Sequence, residues 1–262
     1  MRSGGADTVR AGTVRVPGLK TSGASGHAPG VAHITGHGQS NVLYSTNWSG
    51  LVGRRADIHG AKATWRVPSV KASSTAKYSS TWVGVDGAVK GDSKLIQLGT
   101  SQDTKDGYYA WTEILPAAAK RLPAGHRVRP GNFITAYVQR TRVNRWKMVI
   151  SDRTRHWSYT RTVNYTAPGK TAEWIEEAPT ILTGSGSVQS KLADFGHVTI
   201  GTTEIYGRFG SGLGWYKTDM SGANRLDMTN AAETRIIAAP GDPTKTSSGQ
   251  KFTDRKVNRA RG

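Results

Sequence analysis

The chain contains no cysteine among its 262 residues. This absence excludes a disulfide framework, a thiol nucleophile and a metal site with thiolate ligands. It does not decide between the cytosol and secretion, because a chain of this length can bury a hydrophobic core without cross-links. The length is enough for one large domain or two small ones, and we expect one.

Motifs of several common enzyme classes are also missing. The sequence has no G-x-S-x-G, no H-E-x-x-H and no phosphate-binding loop. Its seven histidines are separated from one another, and no spacing indicates a metal site or a serine triad, although distant strands could bring His126, His156 and His197 together. We therefore predict no metal and no cofactor. Carboxylate and amide side chains remain as the candidate catalytic groups.

Long hydrophobic runs are absent too. No stretch is long enough to cross a bilayer, and no apolar segment follows Met1 as it would in a secretory signal peptide. Residues 1–40 are rich in Gly, Ser, Thr and Ala, which indicates a flexible leader or a propeptide-like segment. Residues 241–262 are polar and basic, and we predict a disordered tail there. The folded domain is then expected over residues 41–240.

Apolar residues at a helical period are hardly found, whereas glycine and aromatic residues are frequent. The chain has 32 glycines, eight tryptophans and nine tyrosines. Short alternating or apolar segments between turn residues predict strands. These segments cover residues 47–52, 61–67, 78–85, 94–98, 108–115, 133–139, 146–152, 156–164, 172–178, 192–199, 204–208 and 234–239. Such short, evenly spaced strands predict an all-β fold, an antiparallel β-sandwich in a single domain.

Acidic residues are few, with 18 Asp and Glu against 36 Lys and Arg, and the net charge is +18. Such a charge is compatible with a nucleic acid, an anionic cell surface, or self-repulsion that keeps the protein in solution. Basic residues are densest at 140–161 and 251–261. Neither segment has the aromatic and glycine pattern of an RNA-recognition module. We therefore favour a generally basic surface and expect no nucleic-acid partner.

Three of the acids lie close together in the segment T-A-E-W-I-E-E-A-P-T at residues 171–180. Successive side chains of a strand point to opposite faces, so Glu173 and Glu177 share one face while Trp174 and Glu176 share the other. Like charges on one face of a sheet are unfavourable unless they are solvated, paired or used. Taken alone, the segment is typical of a solvated strand end whose glutamates pair with arginines.

Six short sequence motifs, taken together in their order along the chain, can be compared with those of known protein families. They are N-W-S-G at 47–50, W-R-V-P at 65–68, T-W-V-G-V-D-G at 81–87, L-I-Q-L-G at 95–99, Y-A-W-T-E at 109–113 and T-A-E-W-I-E-E at 171–177. In their order and spacing, from about residue 44 to residue 200, they resemble the glutamic peptidase family, the eqolisins of fungi and bacteria. The resemblance implies a lectin-like sandwich of two large curved sheets. A glutamine and a glutamate would face a substrate groove on one concave side.

The resemblance also implies residue roles. The family's catalytic glutamine falls on Gln97, and its catalytic glutamate, the later acid of the A-E-aromatic-I-x-E motif, falls on Glu177. Five further positions match family residues that support this pair or contact substrate, namely Trp48, Trp82, Asp86, Trp111 and Glu113. The resemblance further implies a secreted protein that acts on protein or peptide substrates, and we expect a monomer.

Such a pair suits peptide-bond hydrolysis in acid. Glu177 as a carboxylate would take a proton from a water molecule that attacks the scissile carbonyl, and would then pass it to the leaving amine. Gln97 would orient this water and donate its amide N–H to the developing oxyanion. Because this chemistry in acid needs an ionised Glu177, we expect neighbouring donors to stabilise its charged form.

Each assignment has a structural alternative. Gln97 taken alone is an ordinary polar residue on an exposed strand face. Trp82 and Trp111 could be core or cross-strand aromatics. Asp86 precedes a glycine and is first of all a turn residue, and Glu113 could be the partner of an arginine.

Two positions depart from the fungal members of the family. These often have an aspartate where this chain has Tyr109, and an apolar residue where it has Glu176. The pH optimum and the substrate preference therefore do not follow from the resemblance.

Two other functions compete with a peptidase. A lectin-like carbohydrate-binding module without catalysis would use exposed tryptophans to bind sugars. The tryptophans available for such a groove are Trp48, Trp82, Trp111 and Trp174. A basic nucleic-acid binder ranks last, because the charge is dispersed and lies mostly outside the matching motifs.

Overall fold

The computed structural model describes residues 32, 34–37, 41–89, 92–183, 186–210, 212–247 and 249–261. In these ranges the regular elements are strands and one 3₁₀ turn at Met220–Gly222. The strands are β1 (Ile34–His37), β2 (Val42–Ser45), β3 (Trp48–Arg54), β4 (Ile58–Arg66), β5 (Ser80–Val85), β6 (Ile96–Asp103), β7 (Gly107–Ile114), β8 (Ala117–Arg121), β9 (Phe133–Arg142), β10 (Arg145–Asp152), β11 (Trp157–Asn164), β12 (Thr171–Glu177), β13 (Thr180–Thr183), β14 (Gly186–Gln189), β15 (His197–Phe209), β16 (Gly212–Lys217), β17 (Asn224–Thr229), β18 (Arg235–Pro240), β19 (Thr244–Thr246) and β20 (Gly249–Ala260). The predicted all-β class is confirmed. The described ranges contain no helix that is long and apolar enough to cross a membrane.

Turn residues end the strands where the sequence indicates. β5 ends at Val85 because Asp86 and Gly87 adopt positive φ angles of 71° and 98°, which aspartate and glycine tolerate better than most residues. β4 ends two residues before Pro68, which has no N–H to donate to a neighbouring strand. Between such turns, the alternation of buried and partly buried residues along β9 shows that one side of the strand packs on a core.

The strands form two layers that face each other across one hydrophobic core. Layer A has the order β2–β17–β3–β12–β5–β6–β7–β8. Layer B has the order β18–β20–β15–β4–β9–β10–β11. β5 and β6 contact β9 without hydrogen bonding to it, as expected for layers stacked face to face. The predicted β-sandwich in a single domain is therefore confirmed.

The two layers are also joined along one side. β17 of layer A pairs with β18, and β18 pairs with β20 of layer B. Eighteen strands consequently form one continuous hydrogen-bonded network, and β13 and β14 form a separate hairpin. The core between the layers takes apolar side chains from both, for example Leu51, Val83 and Trp174 of layer A, and Trp65, Ile134 and Ile200 of layer B.

The C-terminal segment is not the disordered tail that its composition predicts. Gly249–Ala260 form β20, which pairs with β15, β18 and β19. Phe252 and Asp254 turn into the protein and are 2% and 0% exposed, whereas Lys251 and Arg255 face solvent. The basic residues lie on the outer side of the strand. The average composition of the segment combines both sides and therefore hides the alternation that predicts a strand.

Two other boundaries also differ from the prediction. Most of the predicted leader, residues 1–31, lies outside the described residues, but Ile34–His37 within it pair with β2. Part of the predicted leader therefore forms a strand of the sandwich. The two strands expected at 192–199 and 204–208 are one strand, β15, which begins only at His197.

Candidate active site

One side of layer A is turned away from the core between the layers, and we call it the carboxylate face. Alternation in β12 sends Trp174 into that core and Ile175 into a second apolar cluster on the opposite side. Glu173 and Glu177 share the side of Ile175, and Glu176 shares the side of Trp174. The predicted separation of Glu176 from the other two glutamates is confirmed.

The strand register arranges the carboxylate face in three rows, two residues apart along each strand. The first row is Val52, Glu173, Gly84, Gln97 and Glu113. The second row is Gly50, Ile175, Trp82, Gly99 and Trp111. The third row is Trp48, Glu177, Ser80, Ser101 and Tyr109. All the residues that the sequence proposes for the site lie in these rows except Asp86.

Glu177 is held among tryptophans. Its carboxylate is 5% exposed and accepts a hydrogen bond of 2.8 Å from the indole Nε1 of Trp82. The ring of Trp48 packs edge-on against Trp82 at 4.7 Å between centroids. Burial raises the pKa of Glu177 to about 8, and the indoles of Trp82 and Trp48 oppose this rise. Donors that favour the charged form are therefore present, as expected, but burial outweighs them.

Gln97 has a carboxylate partner of its own. Its Nε2 donates a hydrogen bond to Oε2 of Glu113, the residue directly opposite on β7, and both side chains are buried. Burial raises the pKa of Glu113 well above its ordinary value, and the negative charge of Glu177 raises it further. The bonds from Gln97 and from the backbone of Ala119 act in the opposite direction. Glu177 is thus close enough to influence the protonation of Glu113.

The indole of Trp82 lies between the two halves of this site. Its Nε1 bonds to Glu177, while its Cζ3 lies 3.1 Å from where a Cβ on Gly84 would be. The same Cβ would lie 3.0 Å from Cβ of Gln97. A Cβ on Gly99 would lie 2.5 Å from Cβ of Trp82. Glycine at both positions therefore leaves the space in which Trp82 and Gln97 sit.

Gln97 and Glu177 are not direct cross-strand neighbours. Gln97 lies opposite Gly84 and Glu177 opposite Ser80, so their backbone positions differ by four residues along β5. Four residues of a strand span about 13 Å. The row of Trp82 lies between them, and their long side chains would have to lean toward each other to share one water molecule.

Asp86 lies outside the carboxylate face, at the end of β5. Its Oδ2 accepts the backbone N–H of Gly169 at 2.9 Å and its Oδ1 that of Lys170 at 2.7 Å. Asp86 thereby holds the start of β12, the strand that carries Glu173 and Glu177. Its turn conformation and these bonds agree with the structural alternative for this residue.

Two further buried acids, Asp103 and Glu173, lie on the carboxylate face, and Asp103 was not singled out from the sequence. Asp103 accepts a bond of 2.8 Å from the hydroxyl of Tyr109, whose ring lies 3.5 Å from the guanidinium of Arg121. Burial raises the pKa of Asp103 to about 7, and it also raises the pKa of Glu173 well above its ordinary value. The parity of β12 marks Glu173. Asp103 is the last residue of β6, beyond the L-I-Q-L-G motif at 95–99, and none of the six motifs includes it.

Glu176 lies on the other side of β12 among hydroxyl and amide groups. Its Oε2 accepts a bond of 2.6 Å from Thr81, and its Oε1 one of 3.2 Å from Gln102. Burial raises the pKa of Glu176 to about 7, and these bonds oppose the rise.

Within the part of the chain that the structure describes, no group of three or more His, Cys, Asp or Glu is placed to hold a metal ion.

Comparison with known proteins agrees with this architecture. The model of the Peptidase A4 family matches residues 46–247. Aspergillopepsin-2 of Aspergillus niger is 27% identical over 194 residues, which cover 64% of this chain and 67% of that protein.

Three solved structures show the similarity of fold. Scytalido-glutamic peptidase with a transition state analog inhibitor has a TM-score of 0.67 at 18% identity, with 81% of this chain and 98% of that chain covered. SCP-B, an eqolisin in complex with the tripeptide Ala-Ile-His, has a TM-score of 0.62 at 18% identity over the same shares of the two chains. Aspergilloglutamic peptidase from Aspergillus niger has a TM-score of 0.52 at 22% identity, with 69% and 99% covered. Since the family model extends over most of the sequence, the chain belongs to the Peptidase A4 family, the glutamic peptidases or eqolisins, and is a hydrolase of peptide bonds.

Proposed function

We propose that the protein is an acid-acting endopeptidase that cleaves protein substrates on the carboxylate face, with Glu177 and Gln97 as its catalytic pair. The observation that carries the proposal is the charge coupling across this face. Glu113 holds the amide of Gln97, and its pKa responds to the charge of Glu177. Glu113 therefore interacts with both members of the pair, and Trp82 bonds to Glu177.

In this proposal each group has one task. Ionised Glu177 takes a proton from the attacking water and delivers it to the leaving amine. The amide of Gln97 donates to the oxyanion that forms on the scissile carbonyl. Glu113, protonated in acid because its pKa is raised, keeps the amide of Gln97 oriented without adding a second negative charge. Trp82 holds the carboxylate of Glu177 in position.

The burial of this face has a consequence for activity. With a pKa of about 8, Glu177 is almost fully protonated in acid and cannot act as a base. Exposure to water removes the main cause of the raised pKa and leaves the indole bonds, which favour the charged form. Acid activity thus requires the carboxylate face to open.

We propose that this opening occurs when the N-terminal segment leaves the carboxylate face. The backbone N–H of Ala32 donates to the carbonyl of Gly87 at 3.1 Å, and Ala32 and Ile34 pack against the apolar cluster of the carboxylate face. In this form Gln97 is 1% exposed, which leaves no access for a peptide. Residues 1–40 would then act as a propeptide-like segment whose removal opens the groove.

Cleavage of an unfolded protein substrate from pH 2 to pH 8 tests the pair. We expect Glu177→Gln to abolish cleavage and Gln97→Ala to lower kcat about a hundredfold or more. Glu176→Gln is the matched control, since it removes a carboxylate from the same strand on the opposite side. A folded Glu177→Gln protein that still cleaves would exclude Glu177 as the base.

The same assay with residues 1–40 deleted tests the segment separately. We expect faster cleavage in acid once the deletion exposes the carboxylate face. An unchanged rate would reject the propeptide-like role and leave the catalytic pair to be judged by its own variants.

The carbohydrate-binding alternative has no observation in its favour. Trp48, Trp82 and Trp111 are buried in the apolar cluster of the carboxylate face. Trp174 is buried on the other side of β12. The four tryptophans therefore do not form one exposed platform. Secretion, which the family resemblance implies, and the expected monomeric state remain part of the proposal for a peptidase that acts on external proteins.

A further inference from the structure

A second groove lies on the outer side of layer B. It has a volume of about 630 Å³ and runs between the ends of β4 and β15, with Lys251 of β20 at its edge. Its lining includes Arg66, His197 and Lys251 and contains no aspartate or glutamate. This is the outward side of the layer, because Trp65, the neighbour of Arg66, points into the core.

The basic residues of this groove have no acidic partner among the described residues. Arg66, His197 and Lys251 are all exposed, and Arg255 lies directly opposite His197 in the pairing of β15 with β20. None of these four residues takes part in an ion pair among the described residues. In a chain with a net charge of +18, this face therefore presents unpaired positive charge beside a concave surface.

Hydroxyl groups and a glycine lie beside apolar side chains such as Val67 and Val198 in the lining of the groove. Thr64 lies opposite Gly201 on β15. A Cβ on Gly201 would meet Oγ1 of Thr64 at 3.5 Å and Cβ of Lys251 at 3.6 Å, so its absence lowers the floor between them. Thr199, also in the lining, shares a hydrogen bond of 2.9 Å with Thr253 across β15 and β20. Hydroxyl donors and acceptors thus line the same groove as Arg66 and Lys251.

Of the three aromatic residues in the lining, Trp65 and Phe195 are buried, and the ring of Phe133 is already covered. The guanidinium groups of Arg66 and Arg153 lie 5.3 Å and 5.5 Å from the ring of Phe133. Arg66 also donates to the carbonyl of Gly131 at 3.1 Å, which limits its movement. Phe133 is therefore not a free platform for a nucleobase, and single-stranded nucleic acids rely on such stacking.

We propose that this groove binds an anionic polysaccharide, a sugar polymer that carries sulfate or phosphate groups. The cations would pair with the anionic groups, and the threonine hydroxyls would bond to sugar hydroxyls. The groove and the carboxylate face lie on opposite sides of the sandwich, with the core between the layers separating them. A peptidase held on an anionic polymer in this way keeps its carboxylate face directed away from the polymer.

Binding of fluorescently labelled dextran sulfate tests the proposal, with neutral dextran as the uncharged comparison. The groove variant is Arg66→Gln/Lys251→Gln. The matched control is Arg142→Gln/Arg145→Gln, which removes the same charge from an exposed cross-strand pair at the turn between β9 and β10. Melting temperatures establish that each protein is folded. Lys251→Gln alone serves if the double groove variant does not fold.

We expect the native chain to bind dextran sulfate with an affinity that falls steeply with salt, and to ignore neutral dextran. The groove variant should bind about tenfold more weakly or worse, and its slope of log K against log salt should be shallower by about two, one for each lost contact. The control should change less than about threefold. Activity on a soluble peptide should be unaffected by either variant.

Three results would overturn the proposal. The first is no binding of dextran sulfate by the native chain. The second is an equal loss in the groove variant and in the control, which would assign binding to diffuse charge. The third is single-stranded DNA that binds as tightly as dextran sulfate and loses the same amount in the groove variant, which would make the groove a nucleic-acid site.

Discussion

At the scale of single residues, the behaviour of Glu177 depends on a competition between burial and two indoles. Burial disfavours the carboxylate, and the hydrogen bond from Trp82 favours it. The outcome sets the pH at which Glu177 can act as a base. Trp82 is consequently the residue through which the pH profile can be changed without altering either proposed catalytic group.

Trp82→Phe should raise the pKa of Glu177, because it removes the indole N–H and keeps most of the ring. Hydrogen bonds to charged groups contribute about 1.5–3 kcal/mol, so the acid limb of kcat/KM should move up by about one to two pH units. Trp146→Phe is the control, since its Nε1 bonds to the carbonyl of Tyr165 in the core. Identical pH profiles for the native chain and Trp82→Phe would contradict this role.

Gly84→Ala should lower activity more than stability. The added methyl group would meet Cβ of Gln97 at 3.0 Å and the indole of Trp82 at 3.1 Å, so both must shift. A misplacement of this kind can cost about a hundredfold in rate. Gly125→Ala, where nothing lies within 4 Å, is the control in the same kinetic assay. Equal kcat/KM values for the two variants would show that the spacing is not critical.

At the scale of elements, β20 is the part of the chain whose role differs most from its composition. It hydrogen bonds to β15 and to β18, and it thereby connects the strands that join layer A to layer B. Asp254 of β20 accepts a bond of 2.9 Å from the hydroxyl of Ser49 on β3, across the space between the layers. β20 is thus an internal component of the sandwich.

Phe252→Ala should lower the free energy of unfolding by about 3–5 kcal/mol, because it removes a buried aromatic side chain between the layers. Lys251→Ala, one residue away and exposed, should change it by less than about 0.5 kcal/mol. Urea denaturation followed by tryptophan fluorescence measures both. Equal stabilities would mean that the segment contributes as little as a disordered tail.

At the scale of the whole molecule, buried carboxyl groups with raised pKa values occur on both sides of layer A. Glu113, Glu173, Glu177 and Asp103 lie on the carboxylate face, and Glu176 and Asp254 lie between the layers. A carboxyl group with a raised pKa in the folded state binds its proton more tightly there than in the unfolded chain. Stability is then greatest below the unfolded pKa and is lost as the pH rises through the folded pKa.

Glu176 isolates this effect in a single group. Its pKa is about 7 when folded against a model value of 4.5, so the native chain should lose stability between about pH 4.5 and pH 7. Glu176→Gln resembles the protonated form and should gain about 3 kcal/mol over the native chain at pH 8, with little difference at pH 4. Asp242→Asn, at a side chain that is 99% exposed, is the control. Denaturation curves at both pH values measure the difference. A native chain that is more stable at pH 8 than at pH 4 would contradict this prediction.

The sequence by itself determined the all-β class, the turn at Asp86 and the shared side of Glu173 and Glu177. Each of these depends on the alternation of side chains along one strand or on the backbone preference of one or two residues. Both can be read from residues that are adjacent in the sequence. The order of the six motifs was also sufficient to indicate the family.

Only the tertiary structure decided what surrounds these residues. The pairing of Gln97 with Glu113 and the link of Tyr109 to Asp103 depend on the register between β6 and β7, and the strand at Gly249–Ala260 depends on partners that are distant in the sequence. The groove on layer B likewise joins Arg66 to Lys251. Burial and the pKa values that follow from it arise only when layers pack, because desolvation is a property of the assembled surroundings and not of the local sequence.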